Sequence, residues 1–146
     1  AGDLPAGSVL QVLQSGTINR TTISSTGTWT ATDNQETITP SSASNKVLVI
    51  CTNHVRVAGD TEQIRGGLRV KRDTTVVWNT DGSGEAVQVR NASNEHDTMI
   101  TICFLDSPST TSATTYTLEA KLTTGDNFYI YENIVGASMI LQEIAG

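Results

Sequence analysis

The side chains best suited to acid–base, nucleophilic or metal chemistry in this sequence are few: two histidines, two cysteines and 15 carboxylates. His54 follows an apolar run, and His96 stands between Glu95 and Asp97 in a polar stretch. General acid–base catalysis needs a histidine held within hydrogen-bond reach of a substrate, and a hydrated loop does not hold one. Glycosidic cleavage needs two carboxyl groups flanking the scissile bond. The close pairs here, Asp60 with Glu62 and Glu95 with Asp97, are two residues apart. On a strand such a pair shares one face and cannot bracket a sugar. Asp81, Ser83 and Glu85 alternate like the first ligands of a calcium loop, but the later acidic ligand is missing and the intervening glycines read as a turn. No nucleophile elbow, phosphate-binding loop or dinucleotide fingerprint occurs. The sequence therefore points away from an enzyme and implies neither a metal nor a cofactor. Cys51 and Cys103 each sit inside an apolar run, where a free cysteine behaves as a small hydrophobe. Both are expected to be buried thiols.

The elements that would carry these residues are strands. The chain has 23 Thr and 13 Ser against nine Lys plus Arg, a hydroxylated surface that fits pleated strands better than helices. The net charge of -6 and pI near 4.7 oppose nucleic acid and anionic membrane as partners, because both attractions need clustered cations. The one basic concentration, Arg65, Arg69, Lys71 and Arg72, reads as the solvated side of a strand. Short apolar or alternating runs between Gly, Asn, Asp and Ser clusters place strands near 8–14, 21–25, 28–32, 36–39, 46–52, 67–72, 75–79, 98–105, 114–122, 127–131 and 138–144. Three runs are apolar without alternation: Val47 to Cys51, Met99 to Leu105 apart from Thr101, and Met139 to Leu141. Unbroken runs of this kind imply strands covered on both faces. The turn at Thr124 to Asn127 predicts a hairpin between the strands of Tyr116 and Phe128. With no helix to cover a sheet, so many strands must pack as two sheets, and a jelly-roll sandwich over residues 9–146 is expected. Residues 1–8, with Gly2, Pro5 and Gly7, read as a linker, as if the chain were part of a longer polypeptide.

The aromatic residues offer the remaining candidates. Phe128, Tyr129 and Tyr131 put rings on both faces of one strand, so one face can fill the core and the other needs a partner. Together with Tyr116 they are the expected subunit-interface residues. Trp78 is the candidate for stacking on a glycan.

Gly7-Ser8-Val9-Leu10-Gln11-Val12, Thr28-Trp29-Thr30-Ala31-Thr32, Ile38-Thr39-Pro40-Ser41-Ser42 and Asn45-Lys46-Val47-Leu48-Val49-Ile50 follow one another in this order, and Ser138-Met139-Ile140-Leu141-Gln142-Glu143-Ile144-Ala145 closes the chain. This series resembles the C-terminal domains of bacteriophage fibre, tail and capsid-decoration proteins. The segment from Ile38 to Ser42 ahead of Lys46-Val47-Leu48-Val49 is the most specific part. The resemblance implies a trimeric jelly roll of the tumour-necrosis-factor or complement-head type, whose first and last strands share a sheet packed about a three-fold axis. It further implies a homotrimer on the virion exterior, in contact with capsid or fibre proteins and, in an adsorption role, with a host surface glycan. The two cysteines depart from the pattern.

Overall fold

The computed structural model describes residues 4–59, 63–80, 86–90, 95–130 and 137–146. Eleven strands and no helix occur among them: β1 (Val9–Gln14), β2 (Thr21–Ile23), β3 (Thr30–Ile38), β4 (Lys46–Ala58), β5 (Gln63–Arg72), β6 (Thr75–Asn79), β7 (Val87–Arg90), β8 (His96–Asp106), β9 (Thr114–Thr124), β10 (Asn127–Ile130) and β11 (Ser138–Ile144). They form two antiparallel sheets packed face to face, the expected all-β, jelly-roll-like sandwich.

The first sheet is organised by β4. One edge of β4 pairs with β11 over Lys46–Thr52 and with β10 over Val55–Ala58, and the other pairs with β8 over Val47–Val57. Beyond β11 lies β1, so the first and last strands are neighbours and β11 is interior to the sheet. Backbone bonds from Gly7 to Ala145 and from Ala145 to Ser8 carry this pairing back into the expected linker. In the second sheet β9 lies between β3 and β5, and the far edge of β5 pairs with β6 and β7. Alternation sets the core. Val47, Val49, Val55, Met139 and Leu141 from the first sheet meet Leu68, Val70, Leu118 and Leu122 from the second, all fully buried, each burial worth about 1.5–3 kcal/mol.

Several boundaries differ from expectation for visible reasons. The two strands expected near Trp29 and Ile38 are one, β3, with a shift of register between Ala31 and Gln35. At this irregularity the Thr32 hydroxyl donates to the Leu118 carbonyl at 2.9 Å. The expected hairpin after β9 does not form. Both edges of β9 are already paired, so the chain crosses to the other sheet, where β10 joins β4 and β2. Gly125, at φ +112°, makes the crossing, and a Cβ there would lie 2.7 Å from Ile64 Cγ2. β7, absent from the sequence expectation, extends the second sheet along β5. His96, expected in a polar stretch, lies within β8, and His54 lies within β4, which runs past its expected end at Thr52.

Phe128 packs directly on the backbone of Gly66, where a Cβ would meet its ring at 2.6 Å. Gly66→Ala is therefore expected to overpack the core and cost about 1–3 kcal/mol, read as a lower urea midpoint at unchanged slope. A midpoint equal to that of the wild type would show that the ring moves aside freely.

Two polar locks fasten the sandwich. The Glu143 carboxylate, 1% exposed, accepts hydrogen bonds from the Ser41 backbone N–H (2.6 Å), the Ser41 hydroxyl (2.8 Å), Asn45 Nδ2 (2.6 Å) and Gln11 Nε2 (2.7 Å). The Pro40–Asn45 connection, β1 and β11 are thereby tied to one anion. At another point the Tyr116 hydroxyl and Arg72 Nη1 both donate to Asp106 Oδ2, at 2.6 and 2.7 Å, joining β9 and β5 to β8 across the two sheets. Burial, and then the Asp106 carboxylate, push the Tyr116 phenol above its ordinary range, so it remains a donor.

Candidate functional site

The expected catalytic candidates resolve into an ion-pair cluster. His54 is 4% exposed, and its Nε2 lies 3.1 Å from Asp97 Oδ1. Arg56 reaches Asp97 through Nε at 2.8 Å and Glu95 through Nη1 at 2.9 Å. The Arg56 hydrogen bond holds the Asp97 carboxyl below the usual carboxylate range. Both carboxylates are thus engaged by one guanidinium. His96 is exposed. Asp60, Glu62, Asp81, Ser83 and Glu85 lie outside the described residues. Among the described residues no three potential ligands are grouped to hold a metal ion.

The aromatic candidates separate by face. Tyr116 and Phe128 are fully buried inside the protomer, which corrects their assignment to a subunit interface: their strand positions point between the sheets. Tyr129 projects the other way, opposite Arg56 and Thr22, with the Arg20 guanidinium 5.5 Å from its ring centroid. Tyr131 lies outside the described residues. Trp78 pairs with Val70 and packs half-buried against the core.

A different surface emerges on the outer face of the first sheet. Residues directly paired across antiparallel strands share a face. Leu105 of β8, Leu48 of β4, Gln142 of β11 and Val12 of β1 therefore form one row, and Cys103, Ile50, Ile140 and Gln14 form the next. The row after that is polar, Thr101, Thr52 and Ser138, and beyond it Met99 lies beside His54 towards the Arg56 cluster, while Val9 lies beside Ile144 at the other end. Val9, Val12, Met99 and Leu105 are 50–55% exposed, while Leu48, Ile50, Ile140 and Ile144 are half-buried. Four strands spaced about 4.8 Å apart and rising about 3.4 Å per residue give a patch of roughly 20 by 20 Å. That is comparable to the largest apolar patch on a typical monomer, which is often functional. Charged residues border it, with Arg56, Asp97 and Glu95 at one end and Lys46 at the other, an apolar centre with a polar rim.

The signal for this surface was present in the sequence. The unbroken apolar runs of β4, β8 and β11 have two apolar faces, and the described residues bury only one of them fully. Cys103 belongs to the uncovered face. It is exposed and Cys51 is buried, which corrects the expectation of two buried thiols. Adjacent positions on paired strands put the two sulfurs on opposite faces, so both are free. Burial pushes the Cys51 thiol up to about 12 and makes it inert. A monomeric form of the protein is expected to react with dithionitrobenzoate at pH 8 at one of its two cysteines, and at both in denaturant; two fast thiols in the native state would contradict the placement of Cys51.

Neither a protein-family model nor a curated protein matches this chain.

Proposed function

We propose that this chain is a structural module of the bacteriophage virion exterior, a capsid decoration, head fibre or tail-fibre domain, that assembles as a homotrimer through the outer face of its β1–β11–β4–β8 sheet. The observation that carries the proposal is the outer-face set of Val9, Val12, Leu48, Ile50, Met99, Leu105 and Ile140, exposed or half-buried among the described residues. A second copy supplies a cover of the same chemistry, and isologous or cyclic packing of one patch is the usual way a soluble chain removes it from water. The sheet is also the one that holds both the first and the last strand, in keeping with the resemblance to trimeric jelly rolls, which supplies the number three. No catalytic group takes part in this role, and the carboxylate lock at Glu143 and the clasp at Asp106 give it the rigidity that a particle surface needs.

Cys103 reports on the assembly without any substitution. In the trimer its thiol is covered by the neighbouring protomer, so labelling should slow as protein concentration rises and recover on dilution. Labelling at the same rate at all concentrations would overturn the proposed face. The virion role is tested separately: antibody against the folded chain should bind intact phage particles that carry it, and antigen confined to the unassembled fraction would overturn that role.

A further inference from the structure

The opposite side of the sandwich, the outer face of the second sheet, carries a compact basic cluster around Trp29. Arg69 and Lys71 of β5 and Glu119 and Lys121 of β9 point outward together, since Arg69 pairs with Glu119 and Lys71 and Lys121 lie two residues from them. The Arg69 guanidinium lies 4.4 Å and the Lys121 ammonium 4.8 Å from the centroid of the Trp29 ring. Glu119 is shared, accepting from Arg69 Nε at 2.6 Å and from Lys71 at 3.4 Å. None of the described ion pairs involves Lys121. Three cations therefore surround one indole and one carboxylate, a local excess of positive charge on a chain whose net charge is -6.

From this juxtaposition we infer that the Trp29 face binds a carboxylated sugar, the uronate or sialate unit of an acidic surface glycan. Arg69 and Lys121 already lie over the half-buried indole, so a pyranose would set its C–H face against the part of the ring that they leave uncovered. Lys121, Lys71 and Arg69 supply donors to its carboxylate, with hydrogen bonds strengthened because both partners are ionised. The contact with Trp29 and the shared Glu119 hold the cationic ends in place before the ligand arrives, which lowers the cost of ordering long side chains. A nucleic acid is disfavoured, because tracking a phosphate backbone needs an extended cation array and the rest of this acidic chain repels it. The inference rests on the proposed assembly in one respect. With the first sheet turned to the axis, the Trp29 face looks outward in three copies, and a repeating glycan gains avidity from them.

The test is retention of the intact chain on a set of immobilised oligosaccharides arranged in pairs, each uronate- or sialate-bearing member beside its carboxyl-reduced counterpart. The acidic members should be retained over their neutral partners, and less so as salt is raised. Lys121→Gln should weaken retention about 10- to 100-fold while the unfolding midpoint stays unchanged, and Trp29→Ala should do the same. If Trp29→Ala fails to fold, Lys121→Gln and Lys71→Gln decide the matter alone. Equal retention of acidic and neutral members, or binding untouched by Lys121→Gln, would overturn the inference. A variant that is monomeric through Val12→Asp and Met99→Asp should keep the preference for acidic sugars at lower avidity. Trimers that ignore acidic sugars would sink this inference and leave the assembly standing; monomers that prefer them would do the reverse.

Discussion

Truncating Glu143 to alanine is expected to cost about 3–5 kcal/mol of folding stability. The carboxylate is buried and takes four hydrogen bonds from Ser41, Asn45 and Gln11. Its removal leaves those donors facing a cavity without an acceptor, and each charge-assisted bond contributes about 1.5–3 kcal/mol without full additivity. Glu143→Gln should cost less but still destabilise, because its amide NH2 opposes donors that expect oxygen. The same site sets an acid limit. Burial pushes the Glu143 carboxyl up, but the bonds from Asn45, Gln11 and Ser41 outweigh it and hold the group below its ordinary value of 4.5. A depressed folded-state pKa stabilises at pH above the unfolded value and loses that contribution as pH falls through the folded one. Urea unfolding of the wild type should thus be flat in this contribution above about pH 5 and weaken progressively below about 4.5. Asp97, also depressed, adds a slope of the same sign, so the comparison is with Glu143→Gln, which should lose less stability on acidification than the wild type. Identical slopes in the two proteins would show that Glu143 is not the acid-sensitive lock.

The second large effect is on assembly. Val12→Asp combined with Met99→Asp introduces two carboxylates at positions exposed in the protomer, so the isolated fold should change by less than about 0.5 kcal/mol per site. In the assembled state the same carboxylates would be buried without partners, at several kcal/mol each and in every protomer. Sedimentation should therefore show a folded monomer in place of the wild-type oligomer, with a lower melting temperature because association no longer stabilises the native state. Val76→Asp is the matched control, an exposed apolar position on the second sheet, and should leave the assembly intact. An unchanged mass for the double variant would remove the first sheet's outer face from consideration.

How much of this was legible follows from what periodicity can encode. β4 was legible from Lys46 to Thr52 because Val47 to Cys51 form an unbroken apolar run. Its continuation to Ala58, carried by the inward Val55 and Val57, lay beyond the expected strand because the polar Asn53, His54 and Arg56 interrupt the run. The sheet to which a strand belongs is not encoded locally. The turn at Gly125 has the composition of a hairpin turn, yet it becomes a crossing between sheets because β3 and β5 occupy both edges of β9. The candidate interface was misplaced for a related reason. Tyr116 and Phe128 are large and aromatic, which draws attention to them as anchors, but register turns both inward; Tyr129, one residue along, reaches the outer face beside the patch. The patch itself was written in the alternate positions of the same apolar runs, Leu48 and Ile50, Cys103 and Leu105, Ile140 and Ile144. Only pairing shows that they line up across four strands. The Ile38–Ser42 segment gains a physical reason in the same way, since Ser41 lies 102 residues from the Glu143 it binds, beyond the reach of any local pattern.

Light scattering on the purified chain across a concentration series tests the assembly most directly. A mass three times the 15.5 kDa of one chain, falling only on strong dilution, is the expected result and would make Val12, Ile50, Met99 and Leu105 the contacts to map next. A constant 15.5 kDa at every concentration would contradict the trimer and leave the apolar face to a different protein.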